Sequence, residues 1–173
     1  MQLHYIRLIF CLFFLVLGYN ELLAQEVLHS ERVSKGKVSD PALDEISGII
    51  ASINNPGMFW VHNDSGDEAK VYLIDSAARL MCSFQLEGVE AKDIEDIAWV
   101  ELEGQSYVVL ADIGDNLAER SNLFLYVFPE PVLKKGVKQD SIAKASISIK
   151  QLKYPGKARD AEAVFIDPLD KQF

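Results

Sequence analysis

The sequence predicts an all-β fold, and three observations carry that prediction. Short runs rich in Ile, Val, Leu, Phe, Tyr and Trp recur along the chain, each bounded by Gly, Asn, Asp or Pro. No stretch sustains the spacing of an amphipathic helix. A block of such runs then repeats, acidic positions included, about fifty residues further on. Composition narrows the function. With 49% hydrophobic and 25% charged residues, the 173-residue chain is too apolar for intrinsic disorder. Its 17 basic and 26 acidic residues, net charge -9, argue against nucleic acid as a partner, since phosphate contacts need clustered Lys and Arg. Two cysteines cannot build a disulfide framework or a Cys-based zinc site, and three histidines leave little for a His-rich one.

The chain opens with Arg7, an apolar run from Leu8 to Leu17, and Leu22-Leu23-Ala24-Gln25. This is the order of a secretory signal peptide with cleavage after Ala24, and it predicts a secreted or periplasmic protein. The apolar run falls short of the roughly 20 residues that span a bilayer, so no stable membrane span is expected after cleavage. Cys11 leaves with residues 1–24, and Cys82, in the strand-like Leu80-Met81-Cys82-Ser83-Phe84, reads as a buried small hydrophobe. Residues 25–43 are polar and form a lead-in segment; residues 44–173 form the domain.

Within the domain, alternation and turn residues predict four strands near Glu45–Ile53, Met58–His62, Lys70–Asp75 and Leu80–Leu86. Four more follow near Glu95–Leu102, Gln105–Ala111, Leu123–Phe128 and Ile142–Ile149, and a ninth begins near Ala161. The two blocks can be overlaid. Glu45-Ile46-Ser47-Gly48-Ile49 matches Glu95-Asp96-Ile97-Ala98-Trp99, and Asp64-Ser65-Gly66-Asp67 matches Asp112-Ile113-Gly114-Asp115. A third copy starts at Glu162-Ala163-Val164-Phe165, delayed by a Lys-rich stretch, Lys134 to Lys157, read as an outer hairpin and loop. Four-stranded units at this period indicate a partial β-propeller: about two four-stranded blades plus the first strand of a third. An irregular β-sandwich is the alternative. Because a propeller closes with typically 4–8 blades, the chain reads as truncated.

Strand parity gives the functional expectation. In an antiparallel meander, the start of the first strand and the end of the second share one edge. Glu45, Glu95 and Glu162 open first strands, while Asp64, Asp67, Asp112 and Asp115 follow second strands. These seven carboxylates are expected on one rim, where they either raise their pKa values or hold a cation. Oxygen-only ligands suit Ca²⁺ or Mg²⁺. His62, Asn63, Asn116 and Arg120 are candidate ligand-binding neighbours. For Asp64 and Asp112, capping of their own turns is an equal alternative. His62, beside two carboxylates and Ser65, suggests a catalytic triad, but the second block has Ala111 there, so a packed histidine bonded to the loop is preferred. Residues 25–131 carry 7 basic and 20 acidic groups, and residues 132–173 carry 9 and 5. The second set is read as guarding an exposed outer strand against edge pairing.

The run Trp60-Val61-His62-Asn63-Asp64-Ser65-Gly66-Asp67, then Asp93-Ile94-Glu95-Asp96-Ile97-Ala98, Ala111-Asp112-Ile113-Gly114-Asp115-Asn116 with Arg120, and Asp160-Ala161-Glu162-Ala163 resembles a family of secreted bacterial proteins. That family is similar to phytase-like and gluconolactonase-type β-propellers. The resemblance implies that Glu45 stands where the gluconolactonase type places a metal-binding glutamate. It also implies carboxylates around a channel holding Ca²⁺ ions that bind substrate phosphate, as in the phytase type. The combined expectation is a secreted protein binding a divalent cation and a small polar ligand, with metal-assisted hydrolysis of a phosphorylated or lactone substrate as the enzyme reading. A non-catalytic, calcium-stabilised binding or scaffold module is the alternative.

Overall fold

A computed structural model describes residues 33–64, 66 and 68–167. Residues 1–24, expected as a signal peptide, residues 25–32 of the lead-in segment and Asp67 lie outside the described residues. The fold is all-β. Nine strands run in order: β1 (Ile46–Ala51), β2 (Met58–Asn63), β3 (Lys70–Asp75), β4 (Leu80–Leu86), β5 (Ile94–Leu102), β6 (Gln105–Asp112), β7 (Leu123–Pro129), β8 (Gln139–Ile142) and β9 (Ser148–Leu152). Among the described residues the one helical element is a 3-10 turn at Lys144–Ser146.

The strands form two open sheets, ordered β1-β2-β3-β4-β8 and β5-β6-β7-β9. Each begins as the predicted antiparallel meander. The Lys-rich stretch behaves differently from the expected hairpin. Its first part, β8, pairs in parallel with β4 of the first sheet. The chain then turns at Lys144–Ser146, and β9 pairs antiparallel with β7 of the second sheet. The strand expected over Ile142–Ile149 is therefore two strands in two sheets. The run Ala143-Lys144-Ala145-Ser146 between them offers only two small apolar side chains, both exposed, too little to hold it in either sheet. The ninth strand expected near Ala161 is also absent: residues 161–167 are irregular.

Alternation along the strands fills three apolar layers. The central one joins Trp60, Val71, Leu73, Phe84 and Leu86 of the first sheet to Ile97, Val108, Leu110, Tyr126 and Phe128 of the second. Trp60 meets Phe84 edge-on, with ring centroids 5.3 Å apart. The outward face of the first sheet, Val61, Tyr72 and Ile74, is covered by Val38 and Leu43 of the preceding segment. The corresponding face of the second sheet, Val109, Ala111, Leu125 and Val127, is covered by Tyr154, Ala161, Val164 and Ile166. Both sheets are thus buried on both faces, which explains why β2, β3, β6 and β7 are nearly continuous apolar runs. Cys82 lies in the central layer and is 1% exposed. Burial pushes its thiol pKa up.

Glu130, just after β7, is 5% exposed and fastens the two sheets together. Its Oε1 accepts from the Ser52 hydroxyl (2.6 Å), the Ile53 amide (2.9 Å) and Trp60 Nε1 (2.8 Å). Its Oε2 accepts from the Asn54 amide at 3.1 Å. Burial alone would raise its pKa, but these donors outweigh it and hold the carboxyl below its ordinary value. Lying between Pro129 and Pro131, Glu130 gave no signal in the sequence beyond that of a turn.

Candidate functional site

The two first strands begin with the same irregularity. In β1 the register against β2 shifts between Ile46 and Gly48; in β5 the register against β6 shifts between Ile94 and Asp96. A bulge adds one residue and re-aims its side chain. The bulged residues are Ser47 and Glu95. The backbone agrees, since the Asp64 amide donates to the Glu45 carbonyl and the Gly114 amide to the Asp93 carbonyl. Structure therefore aligns Glu45 with Asp93, and Ser47 with Glu95. The sequence overlay paired Glu45 with Glu95, two residues out of step.

This offset decides which acids meet. Ligand oxygens of Asp64, Asp93 and Glu95 lie within 4.8 Å of one another. Glu162 approaches from the segment alongside β5 and hydrogen-bonds Glu95, an arrangement that needs a proton on one of the two carboxyls. Glu95 is 8% exposed. Its pKa is pushed up to about 7 by burial first, then by the charges of Asp93, Glu162 and Asp64. The Asp93 pKa is also raised, by burial and by Asp64, with Arg120 opposing. Asp93 Oδ1 is buried and has no hydrogen-bond partner among the described residues. Asp93 lies in the sequence run Asp93-Ile94-Glu95, but the bulge at Glu95 that sets which acids face the rim is a register effect with no mark in the sequence.

Gly114 makes the close approach possible. A Cβ there would collide with Glu95 Oε1 and Asp93 Oδ2. Gly114→Ala is expected to cost about 1–3 kcal/mol, as overpacking does, and to push the two carboxylates apart. Urea unfolding checks the first part, and loss of cation affinity the second.

The other expected site residues are placed as follows. Glu45 is exposed and lines a polar hollow of about 520 Å³ with Asp44, Asn63 and Lys70, apart from the trio. Asn63 closes β2 and donates through Nδ2 to the Ala42 carbonyl at 2.9 Å. Asp112, 0% exposed, closes β6. It accepts from the Lys92 and Asp93 amides, from Tyr126 Oη at 3.0 Å and from Arg120 Nη2 at 2.7 Å. Asp112 thereby holds the backbone leading into Glu95. Burial, reinforced by the Asp112 charge, raises the Tyr126 pKa. Asp115 caps the following turn, accepting from the Glu119 and Arg120 amides, and its own amide donates to Asp160. Arg120 also donates through Nη1 to the Gly114 carbonyl. Asn116 is exposed on the same loop.

His62 is 0% exposed. Its Nδ1 lies 2.8 Å from the Asn63 carbonyl, which can only accept, so Nδ1 carries the proton. Its Nε2 faces the Cα of Gly48, where a Cβ would collide with the ring. Burial lowers the pKa, and the Asn63 bond and the charges of Asp96 and Asp64 offset this only in part. His62 is a neutral packing residue at the junction of β1, β2 and β5, out of reach of a substrate.

Chemically, Asp64, Asp93 and Glu95 are a set of hard oxygen donors converging on one point, with Glu162 beside Glu95. Comparison of the chain with protein-family models, curated proteins and solved structures gave no match.

Proposed function

We propose that this protein is a β-propeller-type module whose acidic rim binds a divalent cation, Ca²⁺ or Mg²⁺, and through it a small polar ligand. The observation that carries the reading is the convergence of Asp64, Asp93 and Glu95 within 4.8 Å. Such an arrangement is costly without a counter-charge. The propeller reading is supported by the two meander sheets and by their first strands lying side by side, β5 against β1. The segment carrying Glu162 continues the series, because the Val164 amide donates to Asp96 of β5 at 2.8 Å. A bound cation would polarise a phosphoester or lactone and acidify a bound water. In the second reading the cation stiffens the rim loops, which Asp112 and Asp115 already fasten by hydrogen bonds to backbone amides, and no hydrolysis follows.

Calorimetric titration of the full chain with Ca²⁺ and with Mg²⁺ tests the cation. Asp93→Asn and Asp64→Asn are each expected to weaken affinity on the order of tenfold, since ligand charge sets affinity at such sites. Unchanged affinity in both would refute the site. Turnover of an aryl phosphate or a simple lactone, dependent on the cation and lost in Asp93→Asn, would select hydrolysis over the non-catalytic module.

A further inference from the structure

β5 is the terminal strand of its sheet, so one of its edges has no strand beside it. The turn after it fixes which main-chain groups that edge presents. Glu103 (φ 52°) and Gly104 (φ 77°) are both left-handed, as a type I′ hairpin requires. Leu102 and Gln105 therefore exchange the bonds that close the turn. Alternation then points the N–H and C=O of Val100 and Ala98 toward β6, and those of Glu101, Trp99 and Ile97 toward the open edge. Two bonds agree. The Ile97 amide donates to Asp96 Oδ1 at 2.8 Å instead of to β6. The Ser106 carbonyl, opposite Glu101, accepts from the Glu130 amide on the far side of β6. The outward N–H and C=O of Trp99 have no hydrogen-bond partner among the described residues.

This edge lines a hollow of about 610 Å³. Ile50 flanks it from the central apolar layer, and Val164 and Ile166 flank it from the layer on the other face of the sheet. Trp99 is 42% exposed. Edge strands are normally blunted by Lys, Pro or a covering segment. The run Ile97-Ala98-Trp99-Val100 contains neither residue. The two charged side chains on the lining, Glu101 and Asp167, are both acidic.

We propose that this edge takes up an extended peptide segment of a partner protein. The segment adds as a strand beside β5, with apolar side chains against both flanks and a Lys or Arg beside Glu101 and Asp167. Main-chain bonds supply the affinity in such strand addition, and the side-chain hollows supply the selectivity. The acidic lining selects a basic partner. A second copy joined through β5 is a poorer fit, because β5 has no basic residue and two acid-lined hollows would meet. The site does not use the rim carboxylates and stands whether or not the rim holds a cation.

The test titrates the ¹⁵N-labelled full chain with the peptide acetyl-Thr-Val-Ile-Val-Lys-Lys-amide. The amides of residues 97–101 are expected to shift with saturation, and hydrogen exchange at the Trp99 amide should slow. The same peptide N-methylated throughout keeps its side chains and loses its donors, and it should not bind. Replacing both lysines by glutamate should weaken binding about threefold, the scale of an exposed charge contact. No saturable shift, equal binding of the N-methylated peptide, or equal affinity of the acidic one would each overturn the proposal. So would a Trp99 amide already protected without peptide: in a monomer this assigns the edge to residues 168–173, and in a dimer seen by sedimentation to a second copy.

Discussion

Glu130→Gln is expected to destabilise the protein by about 3 kcal/mol, among the largest effects of any single substitution here. The carboxylate accepts from Ser52, from the Ile53 and Asn54 amides and from Trp60. Glutamine has nearly the same shape, but its NH₂ group would face a donor in either orientation, leaving at least the Asn54 amide without its acceptor. The acid side of the stability profile follows from the same bonds. The folded pKa of Glu130 lies below its ordinary 4.5. The stability it adds is complete above that ordinary value and is lost as pH falls through the folded pKa. Urea unfolding at neutral pH and in acid checks both: the gap between the wild-type chain and Glu130→Gln should narrow in acid. A substitution costing under about 0.5 kcal/mol, the range of ordinary surface changes, would show that Glu130 does not fasten the sheets.

The second large effect has the opposite sign. Glu95→Gln is expected to stabilise the cation-free protein by about 1–2 kcal/mol at pH 7.5, while abolishing tight cation binding. The folded pKa of about 7 lies above the ordinary 4.5. Between these values the folded state keeps a proton that the unfolded state releases, so stability falls as pH rises through the window. His62 contributes a slope of the other sign, because its folded pKa lies below 6.5 and the unfolded chain binds the proton first. Both proteins share His62, so the difference between them isolates Glu95. Unfolding curves in chelator from pH 5 to 8 should show the variant gaining on the wild-type chain as pH rises. A constant difference would mean that Glu95 is not crowded by other charges.

The amino-acid pattern identified the strands wherever alternation was bounded by turn residues. β3 and β4 match the expected Lys70–Asp75 and Leu80–Leu86, and β2, β6 and β7 differ at their ends by one residue. It failed where pairing partner, not propensity, decides the outcome. Nothing local in Gln139–Leu152 says that its halves belong to different sheets. The rim was read in part for the same reason. Glu95 and Asp64 meet as expected, while Glu45, which the repeat overlay aligns with Glu95, lines a separate hollow. A one-residue bulge at Ser47 and at Glu95 changes which side chain faces the rim, and a bulge leaves no mark in composition. Glu130 carries no local signal because these four donors come from residues 52–60, seventy or more positions earlier in the chain. Asp112 and Asp115 stood out as acidic, but their hydrogen-bond partners became visible only with the folded loop.

The gathering of Asp64, Asp93, Glu95 and Glu162 is tested most directly by the protons that a cation displaces. A cation entering the rim must expel the proton that Glu95 carries, so binding is coupled to proton release. Calcium titration of the full chain at pH 7, repeated in buffers of different ionisation enthalpy, should show one ion bound with about half a proton released. Glu95→Gln should abolish the release. Absence of binding, or binding with no proton exchanged, would contradict the account.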